Sequence, residues 1–442
     1  MGTTTADTLC EQLSKSFGDF LSFSTTTNIA ANNLVVSTTL ASWDNGADDY
    51  FIGWYVYIKG TTNNGVERKI SDYATATGTI TVFGAALAAE SGSVVCEIRR
   101  YSREKCLDAI NHATLESFPK LGYYQEDISI VSGNWLPNNS FEKWTSSSYP
   151  DFWKVVGVTA EQITTTGLGY QMGKSSSAKI TATADGGYLG ISSKTYPRLL
   201  DLAGQTVSLK VWAAPEVAND VTATILTVNI DGTANTYDST TTSVAGNYTL
   251  ITIDDQKLDD ELNEILIYFS VATDTKWVYL DNARLTAKQI DQYFVPVDIR
   301  NSRIQAVYIQ EDWATTKESY EPCDSLSPTK WKRIYNWHYW TDNEYDWIEI
   351  PDLPTGYLIR IIIFSPLETL TAATDTISID SKNVLLLLAY ARYKLFQAER
   401  GLPSAKDTTR VEKMMAEALT EYNRLLPNCS VNKLLETVRI VN

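Results

Sequence analysis

The chain has 442 residues, 44% of them hydrophobic and 11% aromatic, with 25 Tyr and 12 Trp, which is material for more than one core because domains usually hold ~100–200 residues. Its formal charge of −16 and the lack of a Lys/Arg-rich block argue against wrapping nucleic acid in a basic groove, although an acidic wall that DNA slides past is allowed. Five scattered cysteines (Cys10, Cys96, Cys106, Cys323 and Cys429), odd in number and without C-x-x-C spacing, speak against a zinc site or a disulfide framework and suit a reduced compartment.

Met1 to Ala6 show no basic, apolar leader, and Ala6 stands where myristoylation would want Ser or Thr. The longest apolar run, Val384 to Ala391, falls short of the ~20 residues that span a bilayer. The expectation is a soluble chain without an export signal and without a membrane partner.

In chain order, Thr5 to Phe17 reads as a short helix, with Leu9, Leu13 and Phe17 four apart. From Asn33 to Arg99 the pattern changes to period two, in short runs separated by turns such as Gly60 to Gly65, and predicts a small barrel of about five strands. Ser102 to Phe118 is again helical, with Ser102 as cap and Cys106, Ile110 and Ala113 on one face. A β-rich block follows from Asn134 to Leu285. Strand patterning resumes through Ile304 to Ile309, Trp331 to Trp340, Trp347 to Ile350 and Tyr357 to Phe364. Asn383 to Gln397 is apolar on nearly every side and predicts a buried helix. Arg400 to Pro403 breaks it, and Asp407 to Leu426 carries a single stripe of Val411, Met414, Met415, Ala418, Leu419, Tyr422, Leu425 and Leu426, so the two helices form a hairpin. The tail ends in a strand-like Thr437 to Val441.

The expected fold class is therefore α+β and multidomain: a helical hairpin and small β-barrel elements with an inserted antiparallel β-sandwich. Four parts are expected: 1–133 (helix, barrel, helix), 134–286 (the inserted sandwich), 287–382 (β-rich) and 383–442 (hairpin and extended tail).

Signals for catalysis are weak. His112 lies on a helix and His338 on a probable strand, and neither accompanies a G-x-S-x-G or a recognisable cysteine nucleophile. Gly173-Lys174-Ser175 would need a glycine at the position of Leu168 to be a phosphate loop. Asp254-Asp255 and Asp259-Asp260-Glu261 read as a solvated charged face. No catalytic residue is assigned, and the expectation is a non-enzyme.

The block beginning Asn138-Asn139-Ser140-Phe141-Glu142, continuing through Gly173 to Ile180 and Val207 to Ala213, and closing on Tyr279-Leu280-Asp281-Asn282 resembles the jelly rolls of carbohydrate-binding modules. That resemblance covers about a third of the chain and implies two things. Glu142 and Asp281 would help hold a structural calcium together with backbone carbonyls, a hard-oxygen set suited to that ion. Sugar rings would stack on exposed aromatics, for which Trp153, Tyr188 and Trp212 are the candidates, since alternation sends Val207, Leu209 and Val211 to one face and Lys210 and Trp212 to the other. Ordinary packing in a core or at a strand edge is the favoured reading of these aromatics, since large rings are usually mostly buried.

The flanks carry a second resemblance. Arg103 to Ala113, with its Ala109-Ile110-Asn111 run, and the Leu385 to Arg392 helix with its Gly/Pro break are similar to head-to-tail adaptor (connector) proteins of tailed bacteriophages. This implies a structural virion protein of the neck, assembled in the host cytoplasm as a homo-oligomeric ring, a dodecamer, that joins portal protein to tail or nozzle proteins around a channel for genomic DNA. Val411, Met415, Val438 and Ile440 are the expected oligomer or partner contacts, the last two through addition of the tail strand to a neighbour's sheet. The competing reading is a glycan-binding tail or fibre protein that contacts host glycans during attachment.

Overall fold

The computed structural model describes residues 3–164, 176–296, 302–310, 331–342, 345–400 and 408–428. The Gly173-Lys174-Ser175 triplet, Cys323, Cys429 and the tail with Val438 and Ile440 lie outside them. The chain divides into two compact units, Met1–Tyr123 with Pro366–Asn442, and Tyr124–Ser365.

In the first unit four helices share a core. Helix α1 (Ala6–Ser16) starts where the Thr5 hydroxyl accepts a hydrogen bond from Thr8 N, and α2 (Arg103–Ser117) where Ser102 Oγ accepts from Lys105 N at 3.3 Å; each satisfies one of the backbone donors that a helix start leaves unpaired. Helices α3 (Ser381–Arg400) and α4 (Thr408–Leu425) run antiparallel, as their ion pairs show: Arg392 meets Glu421 (3.0 Å) and Arg400 meets Glu412 (3.1 Å), so residue numbers rise on one helix as they fall on the other. Leu9 and Leu13, Ile110 and Ala113, Leu387 and Phe396, and Val411 and Tyr422 interlock in one cluster.

Two expectations need correcting here. Leu385 on α3 is 60% exposed, so that helix is not buried all round. Val411 is taken up by its own unit's core and is not an open oligomer contact, whereas Met415 is half-buried on the edge of that core and Leu419 of the same stripe stays 38% exposed.

The β part of this unit also differs from the expected barrel. It is a six-stranded antiparallel sheet in the order Phe20–Ser24, Val95–Arg99, Tyr55–Ile58, Val66–Ala74, Thr79–Val82, Leu34–Val36, with its own core around Ile58, Ile70 and Ile98. Its two edge strands have five and three residues. Thr26 N donates to Val36 O (3.0 Å) beside them, but no ladder joins the edges among the described residues, so the sheet is open.

The second unit is built on a sandwich of two five-stranded sheets. The first sheet has the order Lys154–Val156, Gly187–Ser192, Leu262–Val271, Val221–Asn229, Ala234–Asp238; the second has Val158–Ile163, Ser177–Ala182, Trp277–Thr286, Thr206–Pro215, Thr249–Lys257. Every neighbouring pair is antiparallel. Strict alternation puts Leu189, Ile225 and Ile267 of one sheet against Ile180, Leu209 and Val278 of the other, the two-layer solution for strands with one apolar face. The chain enters and leaves at one place: Asn134 bridges Thr286, Asn134 Oδ1 accepts from Leu285 N (2.9 Å), and Trp135 N donates to Leu285 O (2.9 Å).

Two smaller sheets complete this unit: Trp331–Ile334, Arg303–Gln310, Leu358–Ser365, Tyr123–Val131, and Gln292–Val295, Asp346–Glu349, His338–Thr341. Their Phe294, Trp347, Ile348 and Ile361 belong to the same apolar cluster as the sandwich interior. One continuous core thus joins the sandwich to the strands that follow it.

Candidate functional site

The outer face of the first sheet gathers groups that a packed core does not need. Because Leu189 and Ile191, Ile267 and Phe269, and Ala223 and Ile225 point inward, Tyr188 and Gly190, Tyr268 and Ser270, and Thr222 and Thr224 point outward. Register places Lys154 opposite Gly190, Gly190 opposite Tyr268, Tyr268 opposite Thr224 and Thr224 opposite Asp238, a single row across all five strands.

Tyr188 and Tyr268 are both half-buried, with ring centroids 4.8 Å apart and planes at 45°. They close over Gly190, where a Cβ would lie 2.8 Å from Tyr268 Cβ and 2.9 Å from Ile267 O. Beside the rings, Thr224 Oγ1 donates to Asp238 Oδ1 (2.7 Å), and Glu264 pairs with Lys194 (2.6 Å). The arrangement offers aromatic surface in the middle of the row, an ammonium at one flank and a carboxylate at the other, the Thr224 hydroxyl being buried beneath and holding that carboxylate.

The three aromatics named from the sequence fall in three different places. Tyr188 is on this face. Trp153 is a correction: it is 4% exposed, packed between Phe141 (5.1 Å) and Phe269 (5.6 Å), with its indole N–H donating to Asn138 O (3.3 Å). The cause is parity, since Lys154 faces outward opposite Gly190 and its neighbour Trp153 must face in. Trp212 is outward, but on the second sheet, because Val211 and Ala213 are in the core. Tyr188 and Trp212 therefore look out from opposite sides of the sandwich and share no platform.

Glu142 and Asp281 come to adjacent residues, Ser176 and Ser177, where the strand Ser177–Ala182 begins. Ser176 donates to Glu142 through its N (3.3 Å, to Oε1) and its Oγ (3.2 Å, to Oε2). The ladder that pairs Ala178 with Leu280 brings Ser177 beside Asp281, which is fully buried and accepts from Asn282 N at 2.6 Å. The loop carrying Glu142 is fixed by Asn138, whose Nδ2 donates to Lys143 O (2.8 Å) and Asp151 O (3.2 Å). A hard cation would need both carboxylates and several backbone oxygens turned to one point. Among the described residues no group of three or more His, Cys, Asp or Glu side chains is arranged around a metal.

His112 and His338 are both exposed. No described helix is long and apolar enough to cross a membrane. Sequence reasoning missed Gly190, Tyr268, Thr224 and Asp238. The signal for Tyr268 was present in the alternation of Leu262–Val271, but only the register shows that it meets Tyr188.

No family model and no curated protein matches the chain. Among solved structures, the chain is similar to the C-terminal family 22 carbohydrate-binding module of Clostridium thermocellum Xyn10B, at 16% identity over 36% of this chain and 96% of that one, with a TM-score of 0.28. It is also similar to the N-terminal CBM22-1–GH10 modules of the same xylanase complexed with xylohexaose (13% identity, 37% of this chain, 28% of that one, TM-score 0.27) and to the enzymatically active domain of bacteriophage CBA120 tailspike protein 4 (14%, 35% and 21%, TM-score 0.26). The chain thus spans less than a third of these two larger proteins. None of the three is a head-to-tail adaptor.

Proposed function

We propose that the sandwich binds a glycan chain across the outer face of its first sheet, and that the whole chain serves attachment to a glycan-bearing surface. The observation that carries this is the Tyr188–Tyr268 pair, 4.8 Å between centroids, with Tyr268 in one row with Lys154 and Asp238 and Tyr188 diagonal to it. A pyranose has apolar C–H faces that pack on aromatic rings and a rim of hydroxyls that need donors and acceptors; a site of mostly apolar surface with a few placed polar groups meets both needs.

The test is calorimetric titration of the full chain with xylohexaose, cellohexaose, mannohexaose and β-1,4-galactotriose. Tyr188→Ala and Tyr268→Ala are each expected to weaken binding at least tenfold, about 1.4 kcal/mol, while circular dichroism stays unchanged. Undiminished affinity in both variants overturns the proposal.

One observation favours a second role for the helical unit. Leu115 on α2 and Leu385 on α3 are 62% and 60% exposed, apolar side chains of a kind that lateral packing between copies would cover. We propose on that ground, and on the sequence resemblance, that this unit self-associates as a ring-forming virion protein does. Light scattering of Leu385→Lys against the parent chain tests it: a parent that is monomeric at high concentration ends that reading.

A further inference from the structure

The second sheet turns a separate aromatic pair outward. Val278 and Leu280 point into the core, so Trp277 and Tyr279 face away from it; both are half-buried, with ring centroids 4.8 Å apart and planes at 59°. Lys179, cross-strand from Tyr279, holds its Nζ 5.9 Å from the Trp277 ring centroid and 3.8 Å from Glu161. On the other side of Tyr279 the cross-strand residue is Ala214, too short to cover the ring. Thr181, opposite Trp277, adds a partly exposed hydroxyl. Trp212 lies on the same face and is half-buried as they are, with its indole nitrogen buried and without a hydrogen-bond partner among the described residues.

The chemistry resembles that of the first sheet: two rings at the same separation with an ammonium and a carboxylate near them. The two pairs point in opposite directions from sheets that pack roughly 10 Å apart. A ligand lying on one face cannot reach the other, so the two surfaces act as separate sites.

We infer that the sandwich is bivalent, taking one glycan chain on the Tyr188–Tyr268 face and a second on the Trp277–Tyr279 face, and so bridges two chains. The ligand class rests on the glycan-binding reading above; the second location does not. Bridging raises retention on a dense glycan surface without any new contact, because the second encounter occurs at the effective concentration set by the first.

Calorimetric stoichiometry with the same four oligosaccharides decides the matter, using the full chain, Tyr188→Ala/Tyr268→Ala, Trp277→Ala/Tyr279→Ala and the combination of all four changes. The expected result is two oligosaccharides per chain for the parent, one for each double variant and none for the combination, with unfolding temperatures showing each variant folded. Should the Trp277→Ala/Tyr279→Ala chain unfold, Trp277→Ala alone replaces it. A parent stoichiometry of one that vanishes with the Tyr188/Tyr268 changes overturns bivalence and keeps the first face. A stoichiometry of one that vanishes with the Trp277/Tyr279 changes overturns bivalence and the first-face reading together. No binding of any of the four overturns both.

Discussion

Gly190 and Tyr268 sit directly opposite each other on neighbouring strands, and the glycine leaves no room for a Cβ because Tyr268 Cβ and Ile267 O occupy that space. Overpacking of this kind typically costs ~1–3 kcal/mol when backbone or a rigid atom must move. Gly190→Ala is therefore expected to lower stability by about that amount and to tilt Tyr268 away from Tyr188. Urea unfolding reads the first effect and oligosaccharide titration the second; an alanine variant with parent affinity would separate the ring geometry from binding.

Trp153 and Tyr268 should behave oppositely under truncation. Trp153 is a core residue, and removing a buried ring of that size costs ~3–5 kcal/mol. Tyr268→Ala removes a half-exposed ring, so it should cost less stability than Trp153→Ala and more binding. Side-by-side unfolding and titration of the two variants checks this; a stable Trp153→Ala chain that fails to bind sugar would place the site in the wrong part of the sandwich.

Glu90 should make one loop of the six-stranded sheet acid-labile. Its carboxylate accepts from Asn63 Nδ2 (3.0 Å), Thr62 N (3.2 Å), Asn63 N (3.1 Å) and both the amide and the hydroxyl of Thr61. Burial alone would raise its pKa, but these hydrogen bonds outweigh burial and hold the pKa at about 2, below the ordinary 4.5. A folded pKa below the unfolded one means the stabilisation is complete above about 4.5 and drains away as pH falls from there towards 2. Amide-exchange protection at Thr62 and Asn63 should drop across that window in the parent and stay flat in Glu90→Gln. Equal slopes in the two chains would contradict the assignment.

Calcium is expected to act through Glu142 and Asp281 on the stability of the sandwich. Added Ca²⁺ should raise its unfolding temperature, chelation should lower it, and Asp281→Asn should lose the difference, since binding to the folded state alone stabilises by mass action. An unfolding temperature indifferent to both ion and chelator would leave these carboxylates to their hydrogen bonds with Ser176 and Asn282.

Local rules carried much of the fold. Ser102 announces the start of α2 because a hydroxyl at that position can meet a backbone N–H left without a helical partner, and the Val411–Ala418–Tyr422 spacing announces the buried stripe of α4. The alternation of Thr206–Pro215 put Trp212 outward correctly, but it could not say on which of two sheets that outward side lay. Trp153 could be named as a platform candidate only because its parity is set by Lys154 pairing with Gly190, some 36 residues on, which puts it in the core. Tyr268 escaped notice for the same reason: only the ladder from Gly187–Ser192 to Leu262–Val271 brings it to Tyr188. The barrel expectation counted strands well enough, yet closure depends on whether short edges meet, and period-two patterning does not record that.

The bridge between Asn134 and Thr286 has a mechanical consequence. Tension applied where the chain enters and leaves the sandwich, at Gly133 and Ala287, converges on those two residues, Thr286 being the last of the strand Trp277–Thr286. Under a pull at those two points the hydrogen bonds at Asn134, Trp135 and Leu285 stand first in the line of load, so the neck would open while the other nine strands, and whatever they hold, stayed slack.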